Sequence, residues 1–156
     1  MRYTTTPYEA ALRLRAGYGH AMPKEGMDGA SPYRRRTLRP TGTPDWHIMI
    51  VREGRYVIGP DSKHATTLGP GSAVLYPPHM QQDSMLHEDL QEGRTFWAHF
   101  FPEISMVPFL NWPQTMLGPG VLNWYGNETL NHQISGACDR CVDYFGSDYI
   151  RNRSLA

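Results

Sequence analysis

The sequence predicts a mainly β domain, a sandwich or barrel, followed by an amphipathic α-helix. Between residues 45 and 78, short runs of strand-forming residues alternate with glycine and proline, the spacing that is typical of one wall of such a fold. From Glu128 onward the apolar period changes to three and four residues, which indicates a helix. The 15 glycines and 13 prolines lie between the apolar runs, a distribution that favours turn-rich β structure over disorder or a helical bundle.

The central stretch predicts several strands in succession, at residues 46–51, 55–58, 64–68 and 73–76. Arg52-Glu53-Gly54 is the first turn, and Pro77-Pro78 ends the last strand because proline donates no hydrogen bond to a ladder. Residues 95–101 form the strongest single strand. Its alternation places Thr95, Trp97 and His99 on one face.

The remaining segments are read from weaker signals. Residues 1–35 are expected to form an N-terminal arm and an irregular lead-in, with a helical turn within 8–15. The polar and acidic residues 79–93 are read as a loop, 107–112 as an apolar crossing segment, and 117–125 as one more strand. The barrel is therefore assigned to residues 36–125 and the helical region to 126–156.

The helix is predicted over residues 128–145, with Asn127 as its N-cap and Gly146 as its stop. Its apolar stripe consists of Leu130, Ile134, Cys138, Cys141 and Phe145. Residues 151–156 carry no turn or cap signal, so we expect the chain to be part of a longer protein.

Length and charge exclude several classes of function. A chain of 156 residues suits one domain, and its formal net charge of zero argues against direct binding to nucleic acid. Arg34, Arg35, Arg36 and Arg39 form a short basic patch that is expected to be solvated. Neither a membrane-length apolar run nor a signal peptide is visible, and two cysteines are consistent with a cytoplasmic location.

Metal and redox chemistry are not predicted. The seven histidines show no paired spacing on one strand, so we expect no metal. Cys138 and Cys141 fall in the middle of the helix on its apolar face, where core thiols are more frequent than a zinc or redox site. No serine lies in a glycine-flanked elbow and no phosphate-binding glycine loop occurs, so we assign no catalytic residue and no cofactor.

The row Thr95, Trp97 and His99 is the remaining candidate site. A flat apolar ring beside a hydroxyl and an imidazole suits a small polar ligand in a barrel. The alternative is a packed core with a few satisfied polar groups. The residue pattern alone leaves both open.

Several motifs, in this order, resemble the sensor domain of AraC-type transcription regulators. They are Arg39-Pro40-Thr41-Gly42, WHIMIVREGRY, LGPGSAVLYPP, WAHFFP and LNWP, within residues 36–125. The resemblance implies a cupin-like jelly-roll barrel with a sugar pocket, an arm that folds over it, and C-terminal helices that form a homodimer. It also implies a DNA-binding domain, expected outside this chain, as the means by which the protein contacts DNA.

The resemblance also assigns roles to single residues. Arg39 matches an arginine that hydrogen-bonds the sugar in the arabinose-sensing member, and Trp97 matches a tryptophan that stacks on the sugar. Ser84 replaces a pocket tyrosine and Thr95 replaces a histidine, so a wider pocket is expected. The arm residues that close the pocket are expected within residues 7–19.

The sequence therefore predicts a sensing and dimerisation domain that binds a sugar or polyol through Arg39, Ser84, Thr95, Trp97 and His99, without catalysis. One alternative is a cupin-type sugar isomerase or metal-dependent enzyme, which needs histidine and carboxylate ligands at the barrel centre. The other is a dimerisation module whose barrel is filled by side chains and binds nothing.

Overall fold

A computed structural model describes the backbone of residues 14–21 and 35–153, and the side chains of these residues up to 145. Nine strands precede a long helix: β1 (Leu14–Ala21), β2 (Arg36–Arg39), β3 (Trp46–Glu53), β4 (Tyr56–Ile58), β5 (Thr66–Leu68), β6 (Ser72–Tyr76), β7 (Gln82–Leu86), β8 (Gly93–Phe100), β9 (Gly120–Asn123) and α1 (Glu128–Arg153). A 3₁₀ helix, Ile104–Leu110, connects β8 to β9.

The strands form two antiparallel sheets. The larger sheet has the order β1-β8-β3-β6-β9, and the smaller has the order β2-β7-β4-β5. Strands distant in the chain lie side by side, because β3 pairs with β8 as well as with β6. The arrangement is a β-sandwich with helix α1 at its C-terminal end.

Two apolar cores lie on opposite faces of the larger sheet. The inner core, between the sheets, includes Val51, Ile58, Val74 and Leu86, all at most 2% exposed. The outer core lies under α1, where Cys138 packs with residues of β1, β3, β6 and β8. The larger sheet is thus covered on both faces, which is why β3 and β6 read as continuous apolar runs in the sequence.

The predicted central strands are confirmed, with shifts of one or two residues at their ends. Gly54 has a φ of 80° in the turn between β3 and β4, a conformation that favours glycine. Asn127 caps α1 as predicted, because its Oδ1 accepts a hydrogen bond from the Leu130 amide at 3.0 Å. Cys138 is buried and Cys141 half-buried, and both are free thiols as expected.

Two of the weaker expectations are wrong. Residues 79–93 are not one loop, since β7 runs through Gln82–Leu86 and pairs with both β2 and β4. Residues 14–21 are not an irregular lead-in, since they form β1 on the edge of the larger sheet. Both strands lack an apolar alternation because small or polar residues, such as Gly19 and Ser84, take inward positions beside the cavity. Only Ala21 and Leu86, at the strand ends, pack into the inner apolar core.

The helix also differs from its predicted end. It continues through Gly146 to Arg153, so a single glycine does not stop it. No helix among the described residues is long and apolar enough to cross a membrane. The rest of the expected arm and lead-in, residues 1–13 and 22–34, lies outside the described residues, as do 154–156.

Candidate functional site

A cavity of about 550 Å³ lies between the two sheets on the side of β1 and β2. All five residues that the sequence nominated line it: Arg39, Ser84, Thr95, Trp97 and His99. They come from β2, β7 and β8, so the fold brings together residues from three strands that are separate in the chain. Their role as ligand contacts stays a prediction.

Trp97 forms one wall of the cavity because of the glycines on the neighbouring strand. Gly17 is its cross-strand partner, and a Cβ there would lie 2.7 Å from Trp97 Cζ2. Gly19 is the partner of Thr95, and a Cβ there would lie 2.6 Å from Thr95 Oγ1. These two glycines let the indole and the hydroxyl lie against the β1 backbone, and the space in front of them stays open.

Two stacked imidazoles lie at one end of the cavity. His47 of β3 and His99 of β8 are cross-strand partners, with ring centroids 4.3 Å apart and an interplanar angle of 3°. The Asp45 carboxylate accepts a hydrogen bond from His99 Nδ1 at 3.0 Å. Gln82 Oε1 and His47 Nδ1 are also 3.0 Å apart. Both rings are buried.

Burial keeps this histidine pair neutral. It lowers the pKa of His47 to about 3, and the neighbouring His99 and Arg39 act in the same direction because they disfavour a further positive charge beside them. Burial also lowers the pKa of His99, although Asp45 opposes that shift. Burial alone would raise the pKa of Asp45, but the hydrogen bonds it accepts, first of all from His99, lower it.

Two arginines flank the stacked rings. Arg15 of β1 donates to Asp45 Oδ2 at 2.9 Å, and Arg39 of β2 donates to Gln82 Oε1 at 2.7 Å. The Gln82 amide nitrogen donates in turn to Thr43 Oγ1 at 3.0 Å. Since Gln82 Oε1 acts as the acceptor, His47 Nδ1 must be its donor. Neutral His47 therefore carries its proton on Nδ1, and its Nε2 is an acceptor.

The sequence analysis missed several residues of this site, namely Arg15, Asp45, His47 and Gln82. His47 and His99 are 52 positions apart in the sequence, and only the register of β3 with β8 makes them neighbours. Gln82 lies in a segment read as a loop, and Arg15 in one read as a lead-in. The expected arm, residues 7–19, does contribute to the cavity, but its described part does so as strand β1.

The basic patch is not the solvated face that the sequence suggested. Arg35 donates to the carbonyl of Leu90 at 2.8 Å, and Arg36 binds both carboxylate oxygens of Asp83 at 2.9 and 2.8 Å. Arg39 lines the cavity instead. These three arginines have separate partners, and Arg34 lies outside the described residues.

The described side chains include no group of three or more His, Cys, Asp or Glu residues that could hold a metal ion. His47 and His99 converge, with Gln82 and Asp45 against their Nδ1 atoms, but among the described residues they do not belong to a group of three such residues.

Comparison with known proteins identifies the fold. No protein-family model matches the chain, and no curated protein matches it either. Among solved structures, apo ToxT K231A from Vibrio cholerae strain SCE256 matches with a TM-score of 0.52 at 12% identity, over 99% of this chain and 58% of that one. ToxT from Vibrio cholerae O395 matches with a TM-score of 0.51 at 9% identity, over 93% and 56%.

A structure of ToxT with an unsaturated fatty acid bound gives a TM-score of 0.46 at 12% identity, over 93% of this chain and 58% of that one. This chain thus spans less than three fifths of the ToxT chains. ToxT is an AraC-family regulator. At such identities the likeness establishes the fold: a mainly β, cupin-like domain of two antiparallel sheets with a C-terminal helix, as the sequence predicted.

Proposed function

We propose that this chain is the effector-binding domain of an AraC-type transcription regulator and that the cavity between its sheets holds a small polar molecule, a sugar or polyol. The observation that supports this most directly is the open cavity of about 550 Å³ with Trp97 and Arg39 in its wall. A volume of this size is typical of small-molecule sites. It also argues against the alternative of a barrel filled by side chains.

The lining suits a ring-shaped polar ligand. Trp97 offers a flat apolar surface, and Ser84 and Thr95 add hydroxyl groups beside it. Arg39 is held in place by Gln82, so its guanidinium is oriented before any ligand arrives. A ligand would therefore gain one stacking surface and several directed hydrogen bonds.

The path from the cavity to the helix runs through β1. Gly19 of β1 lines the cavity, whereas Ala16 packs in the outer core with Cys138 of α1. The Tyr18 hydroxyl hydrogen-bonds to Asp139, also on α1. In this proposal, bound effector favours one arrangement of β1 and α1, and thereby biases a homodimer and a DNA-binding domain outside this chain.

The enzyme alternative has less support. A cupin-type isomerase or metal-dependent enzyme needs converging ligands, and the described residues offer no such group. The proposal includes no catalysis, and it places the protein in the cytoplasm.

A thermal-shift screen against pentoses, hexoses, polyols and their acids tests the proposed function, because a ligand that binds the native state raises its melting temperature. Any hit is then titrated by calorimetry into wild type and Trp97→Ala, which is expected to bind at least tenfold more weakly. Tyr144→Ala, on exposed Tyr144 of α1, is the matched control and is expected to bind as wild type does. Unchanged affinity in Trp97→Ala would place the ligand outside this cavity.

A further inference from the structure

A second cavity, of about 360 Å³, lies at the end of the smaller sheet. It is bounded by the end of β4, the start of β7 and the loop that contains Leu117 and Pro119. Among the described residues that line this cavity and the first one, which contains Trp97, the two share Leu38 alone. The second cavity is therefore a separate space. It reaches the inner core, because Ile58 and Tyr76 in its wall are almost fully buried.

The hydroxyl of Tyr76 is the unexplained group in this wall. Tyr76 is 2% exposed, and its ring stacks on His47 with the ring centroids 5.7 Å apart. The hydroxyl is buried and has no hydrogen-bond partner among the described residues. A buried hydroxyl without a partner costs free energy that a phenylalanine in the same place would not cost. The wall therefore presents a hydrogen-bonding group that only an occupant of the cavity would satisfy.

Electrostatics also relate this hydroxyl to the second cavity. Burial raises the pKa of Tyr76, and the negative charge of Asp83 raises it further, so the two groups lie within electrostatic reach of each other. Asp83 lines the same cavity. At neutral pH the Tyr76 hydroxyl stays protonated, and it can both donate a hydrogen bond and accept one.

The charged groups of the wall are already paired with one another. Arg36 donates to both carboxylate oxygens of Asp83, at 2.9 and 2.8 Å, and to Asp61 Oδ2 at 2.6 Å. One guanidinium held by two carboxylates offers little to a further anion. A cation gains little either, because Arg36 already neutralises Asp83 and the Asp61 side chain is 79% exposed to solvent. This pairing favours an uncharged occupant.

We infer that the second cavity binds a small uncharged molecule with an apolar body and one hydroxyl or carbonyl oxygen, which hydrogen-bonds to the Tyr76 hydroxyl. The apolar body would lie against Ile58, Leu117 and Pro119. The volume lies at the lower end of the range for small-molecule sites. A single ordered water is the competing occupant. The inference goes beyond the proposed function, since it concerns a different cavity and a different class of ligand.

Four matched probes test the class of ligand. Benzyl alcohol, toluene, benzoate and benzylamine share one ring and differ in the group attached to it. Each is titrated into isotope-labelled protein, and the backbone amide signals are followed by NMR. Benzyl alcohol is expected to shift the amides of Gly59 and Gly118 at the second cavity, and to leave those of Gly17 and Gly19 at the first cavity unchanged. Benzoate and benzylamine are expected to bind at least tenfold more weakly.

Tyr76→Phe removes the hydroxyl and keeps the ring. It is expected to weaken benzyl alcohol about threefold to tenfold, the effect of one neutral hydrogen bond, and to leave toluene unchanged. Tyr144→Phe, at an exposed tyrosine of α1, is the matched control and is expected to bind all four probes as wild type does. If Tyr76→Phe does not fold, Leu117→Trp carries the test, because the larger ring is expected to fill the second cavity and abolish binding.

The outcomes either support the inference or overturn it. Selective weakening of benzyl alcohol in Tyr76→Phe, or loss of its binding in Leu117→Trp, supports it. Equal binding of benzyl alcohol by Tyr76→Phe and wild type overturns it, as do shifts confined to Gly17 and Gly19. Preferential binding of benzoate or benzylamine contradicts the uncharged class. If no probe binds, water is the only occupant and the inference is wrong. The proposed function is unaffected by these results, since its ligand is sought in the first cavity.

Discussion

Each row of cross-strand partners in the larger sheet runs from the cavity side of the interior to the packed side. The two ends of a row differ in whether the space beside them is open or filled. The row Gly17, Trp97, Met49, Val74 runs from β1 through β8 and β3 to β6. Val74 at one end is fully buried, whereas Gly17 at the other end leaves Trp97 half-buried beside the cavity. The neighbouring row ends in Ser72 on the packed side and in Gly19 on the cavity side.

The comparison shows that side-chain size at the two ends of a row decides whether the interior is core or cavity there. On the β6 side, adjacent strands contribute apolar side chains that fill the space between the sheets. On the β1 side, glycines let Trp97 and Thr95 lie against the backbone. The same fold therefore supplies a stabilising core and a ligand site without a change of architecture.

The largest effect is expected when two residues on the same face of β7 are each replaced by alanine. Leu86 is fully buried in the inner core, so Leu86→Ala is expected to reduce the free energy of unfolding by about 2–5 kcal/mol, measured by urea denaturation. Ser84 lines the cavity two residues earlier, and Ser84→Ala is expected to cost less than about 1 kcal/mol. Equal losses at the two positions would contradict the division into core and cavity.

The stacked histidines predict a pH dependence of stability. The pKa of His47 is about 3 in the folded protein against 6.5 in an unfolded chain, so below pH 6.5 the unfolded state binds the extra proton. Stability is then full above pH 6.5 and is lost as the pH falls toward 3, by up to about 1.4 kcal/mol per pH unit for this group. The lowered pKa of His99 acts in the same direction.

His47→Asn isolates that contribution, because its amide can still donate to Gln82. Urea denaturation between pH 7 and 4.5 is expected to show a shallower loss of stability in this variant than in wild type. His64→Asn, at an exposed position between β4 and β5, is expected to follow wild type. Parallel slopes for His47→Asn and wild type would contradict the prediction.

A substitution at Gly17 tests whether the glycines of β1 keep the cavity beside Trp97 open. Gly17→Ala places a Cβ within 2.7 Å of Trp97 Cζ2, so the indole is expected to move into the cavity. We expect a loss of about 1–3 kcal/mol in unfolding free energy, weaker effector binding and a shift in tryptophan fluorescence. Gly136→Ala in α1 is the matched control and is expected to stabilise by about 0.5–1 kcal/mol, since its new Cβ meets only the flexible end of Arg140.

The smallest expected effect concerns the link between β1 and α1. Tyr18→Phe removes the hydrogen bond to Asp139 and keeps the ring packed edge-on against Phe96. Because Tyr18 is about half exposed, thermal denaturation is expected to show a loss of less than about 1 kcal/mol. Hydrogen exchange of the α1 amides is expected to increase. Unchanged exchange would show that this hydrogen bond does not stabilise α1.

The sequence by itself determined the fold class, the strands of the packed side and the helix with its Asn127 cap. Those elements bury apolar faces, and burial leaves a periodic pattern in the chain. The sequence also identified Trp97 and Arg39 as candidate ligand-binding residues, Trp97 through the alternation of β8 and both through a family resemblance. Its readings failed at β1 and β7, where glycine and polar residues face a cavity and no apolar period exists.

Only the tertiary structure decided the composition of the site. The register of β3 with β8 stacks His47 on His99, and the pairing of β2 with β7 places Arg39 beside Gln82. Both contacts join residues more than forty positions apart in the sequence. No local pattern specifies them, because cross-strand neighbours are set by the packing of the whole sheet and not by the spacing of residues along one strand.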